Sequence, residues 1–314
     1  MNIVLLESLA VSDAKIAGLA APLIAAGHRF TAYTDGNYDP AVLIERAKDA
    51  DILMVASTRL PAEVVAACPR LKLISVAFTG VDHLPMDLCR ERGILVSNCA
   101  GYSNQSVAEL VFGLVLSLLR RIPACNEACR SGGTKAGLVG FELAGKTFGV
   151  IGYGRIGRAA AKLAAAFGME VLAFDKFAQD DGVARMVTLD ELLAQSDVIS
   201  LHCPLFPDTQ GIINRESIAK MKDGVLLINT SRGPLIVEED LAAALHSGKV
   251  AGAGLDVLAV EPARMDNPLL KEENCLVTPH IAWAPKESRQ RLMDIAVENL
   301  KAFLAGAPQN VVNA

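Results

Sequence analysis

The sequence predicts an α/β fold organised as two parallel sheets. Three observations lead to it. Short apolar runs alternate with helix-length stretches along nearly the whole chain. Glycines stand at 152, 154 and 157, between one apolar run and an alanine-rich stretch. The next apolar run ends in an acid, Asp175. Strands separated by helices in this way pair in parallel through right-handed crossovers. At 314 residues the chain has length for two domains, on a prior of roughly 150 residues each.

In chain order, the first hundred residues carry apolar runs at 3–6, 29–33, 52–56, 73–77 and 94–96. Asp39 stands just before Pro40, a capping carboxylate ahead of proline at the first helical position. Pro61 opens the stretch to residue 67 in a similar way. No phosphate-loop glycines occur here, so the nucleotide is expected to bind elsewhere. Residues 103–120 form the longest strongly apolar helical stretch. Ser103 or Ser106 can cap it, and Glu109 lies near its positive end. Apolar almost all round, this helix is expected to be buried and also to join subunits. Residues 125–145 hold five glycines without a clear period and read as a loop.

The run 147–151 reads as a buried strand leading into Gly152-Tyr-Gly154-Arg155-Ile156-Gly157. Gly152 allows the tight turn, Gly154 lets the backbone approach a pyrophosphate, and Gly157 lets helix and strand pack closely. The helix, read over 159–167, presents N–H groups to phosphate oxygens. Asp175 closes the strand 170–174, 23 residues after Gly152, where a ribose 2′-OH is read in dinucleotide-binding folds. Strand, glycines, helix and acid together predict a Rossmann-type domain. Helices then follow at 189–194, 216–221 and 238–246, and strands at 198–201, 225–228, 253–255 and 275–277. A last amphipathic helix is read over 285–305.

Composition narrows the function classes. The chain is 52% apolar with a net charge of −5 and no basic run, which argues against a nucleic-acid partner. The longest uncharged apolar stretch, 110–119, is too short to span a bilayer. The start, Met-Asn-Ile-Val-Leu-Leu-Glu, lacks a basic n-region, so a cytoplasmic protein is expected. Seven cysteines fit no zinc spacing; Cys125 and Cys129 could share a helix face, but nothing completes a site, so no metal is expected.

Ligands of such sheets bind beyond the C-terminal ends of the strands. Arg232, Glu261 and His280 follow three successive strands. The Arg can fork onto a substrate carboxylate and its neighbouring carbonyl. The His can exchange a proton with the carbonyl or hydroxyl oxygen, and the Glu can orient the imidazole and favour its protonated form. Of the other histidines, His28 and His246 read as structural. His83 reads as pocket-adjacent and His202 as lining the cofactor cleft.

Gly-Tyr-Gly-Arg-Ile-Gly157, Thr-Ser-Arg-Gly-Pro234, Gly-Leu-Asp-Val257 with Glu261-Pro, and Pro279-His-Ile-Ala-Trp occur in order over essentially the whole chain. Together they resemble the D-2-hydroxyacid dehydrogenase family. The resemblance implies that Arg232, Glu261 and His280 are catalytic. It implies that Thr79 and Gly80 offer N–H groups to the substrate carboxylate and that Trp283 borders the substrate. It maps cofactor contacts onto Arg155, Ile156, Asp175, Cys203, Thr230 and Asp256, beside the three glycines. It also implies a Rossmann NAD-binding domain, 100–287, inserted into a flavodoxin-like substrate domain, 1–99 plus 288–314, with the active site in the interdomain cleft.

Within the family, Pro-His-Ile-Ala-Trp-Ala and the closing Pro-Gln-Asn-Val-Val resemble glycerate dehydrogenases, also called hydroxypyruvate reductases. Expected substrates are hydroxypyruvate first and glyoxylate second. A phosphoglycerate dehydrogenase is the alternative; those often show Arg where Ala56 stands and carry a regulatory extension not seen here. Formate dehydrogenases of this fold carry Gln in place of Glu261. An NAD(H)-sensing binding protein, like the C-terminal-binding corepressors, is the alternative from another class. Asp175 argues for NAD over NADP, with neighbouring Lys176 able to soften the repulsion of a 2′-phosphate. A homodimer is expected through residues 103–120 and 123–145.

Overall fold

The computed structural model describes residues 1–9 and 11–313. The chain divides into two compact units: Met1–Tyr102 with Lys286–Ala314, and Ser103–Pro285. Each is built on a parallel sheet.

The first unit runs β1 (Asn2–Leu5), α1 (Asp13–Ala25), β2 (Arg29–Ala32), α2 (Pro40–Ala47), β3 (Ile52–Val55), α3 (Ala62–Ala66), β4 (Leu73–Val76), α4 (Met86–Glu91) and β5 (Leu95–Ser97). The strand order is β2-β1-β3-β4-β5. Every residue of β1, β3 and β4 is buried, including the polar Asn2 and Ser75, as near-continuous apolar runs in a parallel sheet lead one to expect. The edge strand β2 is exposed or half-buried throughout. Asp39 caps α2 as its sequence position suggests, accepting from the N–H groups of Ala41 and Val42.

The second unit runs α5 (Asn104–Leu119), α6 (Ile122–Arg130), β6 (Thr147–Ile151), α7 (Arg155–Ala166), β7 (Glu170–Phe174), β8 (Arg185–Met186), α8 (Leu189–Gln195), β9 (Val198–Leu201), α9 (Arg215–Ala219), β10 (Val225–Asn229), α10 (Glu238–Ser247), β11 (Val250–Leu255) and β12 (Cys275–Val277). Its sheet order is β12-β11-β10-β9-β6-β7-β8. Helix α5 lies against α7 and against β10 and β11. Phe112 stacks between Phe148 and Phe167, with ring centroids 5.5 and 5.1 Å away. Gly254 admits α5 to the sheet, since a Cβ there would come within 2.9 Å of Leu114 Cβ.

Several local readings are corrected. The segment 125–145 is not all loop: Arg121, at φ 51°, turns the chain sharply after α5, and Pro123 stands in the first turn of α6. No residue of α6 is buried, so the helix has no core-facing stripe for a periodicity search to find. Ser103 is the N-cap of α5 but makes no side-chain cap; Ser106 Oγ instead donates to Ser103 O at 3.0 Å. Helix α7 starts at Arg155, ahead of the alanine run. Strand β8 has two residues, too few to carry a pattern.

The last helix, α11 (Lys286–Leu304), belongs to the first unit and lies against β4. Asn299 is 1% exposed. Its Nδ2 donates to Asn98 O at 2.8 Å, and its Oδ1 accepts from Asn310 Nδ2 at 2.8 Å. Asn313 then bridges Val96 N (2.7 Å) and Ile94 O (2.8 Å) beside β5. Removing the Asn299 amide strands both partners in a buried site. Asn299→Ala should lower the unfolding free energy by about 2 kcal/mol, read from urea denaturation, whereas a surface change such as Lys301→Ala should stay within about 0.5 kcal/mol.

Candidate active site

The strand order of the second unit reverses between β9 and β6, where the crevice of an open α/β sheet forms. The glycines stand there and each meets a different requirement. Gly152 has φ 97°, and a Cβ on it would lie 2.3 Å from Cys203 N. A Cβ on Gly157 would lie 2.2 Å from Gly152 O. Gly154, the N-cap of α7, is exposed and nothing lies within 4 Å of the space its Cβ would take. That open ground at a helix N-terminus is what a pyrophosphate requires.

The other expected cofactor residues line the same strand ends. Arg155, exposed, and Ile156, half-buried, open α7. Asp175 follows β7, and its carboxylate accepts from Tyr153 N (2.8 Å), Phe177 N (2.8 Å) and Ala178 N (3.0 Å). Burial alone would raise its pKa, but the N–H groups of Phe177, Ala178 and Tyr153, with Arg158, outweigh burial and hold it below the usual carboxylate range. Cys203 is buried against Gly152, its thiol pushed up to about 11 by burial. Its carbonyl accepts from Ser231 Oγ at 2.6 Å. Thr230 Oγ1 is buried and has no hydrogen-bond partner among the described residues. The open cradle at Gly154 and this orphaned hydroxyl fit a bound dinucleotide.

The expected catalytic residues follow β10, β11 and β12. Asn229, fully buried at the end of β10, donates from Nδ2 to Arg232 O (2.8 Å) and accepts from Ser231 N (3.0 Å), shaping the Arg232 loop. Glycine is required at 233, where a Cβ would lie 2.0 Å from Leu258 C. After β11, Glu261 Oε1 accepts from Leu258 N at 3.2 Å, and Oε2 lies 2.7 Å from His280 Nδ1. Burial would raise the Glu261 pKa; the hydrogen bond and charge of His280, the Leu258 N–H and the nearby Arg232 charge outweigh it, so the carboxyl is held below its ordinary range. The structure thus brings Arg232, Glu261 and His280 into one electrostatic cluster.

Asp256 was expected to touch the cofactor. It is 1% exposed and its carboxylate holds the turn after β12. Oδ1 accepts from Thr278 Oγ1 (2.5 Å) and Ile281 N (2.9 Å), and Oδ2 from Ala282 N (2.9 Å). Its main-chain oxygen accepts from His280 N at 2.8 Å. His280 sits at φ 53°, a left-handed conformation that costs a non-glycine residue on the order of 1 kcal/mol. The four bonds to Asp256 hold it there. Trp283, half-buried, ends the same turn. Asn229 and Thr278 went unnoticed in the sequence; polar residues closing apolar strands were the available signal.

In the first unit, Thr79 and Gly80 follow β4. Thr79 O accepts from Asn98 Nδ2 at 2.7 Å, and Thr79 Oγ1 is buried without a hydrogen-bond partner among the described residues. A cavity of about 600 Å³ lies at the opposite end of the second unit's strands, lined by Lys146, Asp197, Gly224 and Ala251, and contains none of the catalytic candidates.

Residues 112–282 match the family described as "D-isomer specific 2-hydroxyacid dehydrogenase, NAD binding domain". The chain belongs to the D-isomer-specific 2-hydroxyacid dehydrogenases. A hydroxypyruvate reductase of Blautia hydrogenotrophica is 50% identical over 287 residues, 88% of each chain. A glycerate dehydrogenase of Methylorubrum extorquens is 43% identical over 296 residues, 91% of this chain and 93% of its own. The solved D-lactate dehydrogenase of Aquifex aeolicus, in complex with NAD and lactic acid, has a TM-score of 0.88 at 33% identity over 99% of both chains. As a D-2-hydroxyacid dehydrogenase, the protein is an NAD-dependent enzyme interconverting 2-keto and 2-hydroxy acids.

His202, at the end of β9, bears on the pH range of this dehydrogenase. Its Nε2 lies 2.9 Å from Ser200 Oγ, and burial pushes its pKa down to about 4. The unfolded chain takes up a proton near pH 6.5 that the folded chain refuses until about 4, so stability is complete above 6.5 and falls through that window. His202→Asn should flatten the loss between pH 7 and pH 5 by about 1 kcal/mol, roughly half the full linkage value because the residue keeps some surface. Parallel denaturation curves at the two pH values check this.

Proposed function

We propose that this enzyme reduces hydroxypyruvate to D-glycerate, with glyoxylate as its second substrate, and that His280 is the acid. The 2.7 Å contact of His280 Nδ1 with Glu261 Oε2 carries the reading. The Gly154 cradle and Thr230 would hold NADH, which would supply the hydride. Arg232 forks onto the substrate carboxylate and the reacting carbonyl. As hydride reaches the carbonyl carbon, negative charge builds on the oxygen, and Arg232 stabilises it. With Nδ1 committed to Glu261, the proton comes from Nε2. Trp283 limits the substrate side chain, and Ala56 supplies no cation for a phosphate. The 50%-identical hydroxypyruvate reductase supports the substrate assignment. NADH oxidation with hydroxypyruvate, glyoxylate, pyruvate and phosphohydroxypyruvate tests it: kcat/KM should be highest for the first, and a higher value for phosphohydroxypyruvate would overturn the assignment.

Glu261 holds the imidazole for reduction. Its own pKa is depressed, so it remains a carboxylate through the neutral range and engages His280 Nδ1. Glu261→Gln removes that charge and should lower kcat/KM for reduction by about tenfold or more. His280→Ala should cost about 10²-fold or more at every pH. A Glu261→Gln enzyme with parental kcat/KM, or a His280→Ala enzyme with near-normal turnover, would assign the proton to another group.

The same reading includes a cytoplasmic homodimer. Seven free cysteines, none in a disulfide, are in keeping with that compartment. Much of α5 is committed to its own unit, so the contact falls on the segment after it. Ile122, Val139 and Phe141 are 50%, 77% and 69% exposed, and Pro123 and Phe141 border the 600 Å³ cavity. Light scattering at micromolar concentration should give about twice the 33.2 kDa chain mass; a monomer would contradict it.

A further inference from the structure

Asp175 cannot by itself exclude a 2′-phosphate, because two cations stand beside it. Lys176 is the next residue. Arg158, on the first turns of α7, lies close enough to help hold the Asp175 carboxylate charged. In dinucleotide folds an arginine near the ribose is what accommodates a 2′-phosphate. Each of these cations is engaged by a second carboxylate. Lys176 Nζ is paired with Asp208, which lies in the segment after β9. Arg158 is paired with Asp181, at the far end of the loop that Asp175 begins. The Arg158 guanidinium also lies 4.4 Å from the centre of the Tyr153 ring, and Tyr153 Oη donates to Asp181 at 2.8 Å. Tyr153 thus ties both ends of the loop to the glycine turn: its N–H goes to Asp175 and its hydroxyl to Asp181.

We propose that Asp208 and Asp181 are specificity-determining residues, which disfavour a 2′-phosphorylated cofactor by keeping Lys176 and Arg158 engaged. A free lysine or arginine would turn toward a 2′-phosphate and offset the repulsion from Asp175. With both engaged, the surface around the ribose keeps net negative charge from Asp175. The two carboxylates carry their charge at neutral pH. Asp208 is held below the ordinary range first by its hydrogen bond with Lys176, and Asp181 first by the Tyr153 hydroxyl. The inference rests on the reading that Asp175 faces the ribose.

Asp208 gives the cleaner test. It and Lys176 are about half exposed, so their pair contributes little to folding. Asp181 also accepts from Val183 N and Tyr153, and its loss would disturb the loop. Asp208→Asn should raise kcat/KM for NADPH by about three- to fivefold and leave that for NADH within about twofold. The gain should shrink as salt rises from about 0.02 to 0.5 M, as exposed charges require. Adding Lys176→Gln to Asp208→Asn should abolish the gain, which separates released lysine from mere loss of a carboxylate. Asp175→Asn is the control for the underlying reading and should itself improve NADPH relative to NADH. If it does so while Asp208→Asn changes nothing, or if the double variant keeps the gain, the proposal is overturned. If Asp175→Asn leaves the NADPH/NADH ratio unmoved, the ribose reading fails and the proposal with it.

Discussion

The active-site geometry depends on one buried carboxylate. Asp256 ends the strand β11, and through four hydrogen bonds it fixes the turn from Thr278 to Ala282 that follows the neighbouring strand β12. Without it, a non-glycine residue at φ 53° has little reason to stay there. With it, His280 is delivered to Glu261 at 2.7 Å, and Glu261 is in turn close enough to Arg232 to sense its charge. Three charged side chains from three strand ends are thereby made into one cluster by a residue that need not touch substrate.

The same economy operates at the cofactor end. A Cβ on Gly152 or Gly157 would come within 2.3 or 2.2 Å of main-chain atoms, so both must be glycine, and Gly152 seats the turn into α7 against Cys203. Gly154 differs, because nothing in the protein presses on it. Its lack of a side chain keeps ground open for a ligand. Electrostatics then divides the crevice. The N-terminal end of α7 would favour phosphate, while Asp175, held charged by three backbone N–H groups, would favour a neutral ribose.

Where whole strands are buried, as in β1, β3, β4 and β9, a mostly apolar run leaves little ambiguity, and these were legible in the sequence despite Asn2, Ser75 and Ser200. Strand ends then offered Arg232, Glu261 and His280 as candidates, and the structure brings the three near one another. Helix α6 was not legible, since all its residues remain outside the core. For Asp256, sequence position suggested a cofactor contact, and only coordinates show that its oxygens also accept from a turn 22 to 26 residues away. The Lys176–Asp208 and Tyr153–Asp181 pairs, 32 and 28 residues apart, have no local pattern at all.

We propose that Asp256 acts on catalysis through His280 rather than by holding the cofactor. Asp256→Asn keeps the shape but sets an amide N–H₂ against groups that donate to the carboxylate, which loosens the turn. The direct measurement is the NADH dissociation constant of this variant, by fluorescence titration, beside its kcat at saturating NADH and hydroxypyruvate. The account predicts an NADH affinity within about twofold of the parent and a kcat reduced by about tenfold or more. Affinity weakened about tenfold with kcat intact would contradict it and make Asp256 a cofactor contact.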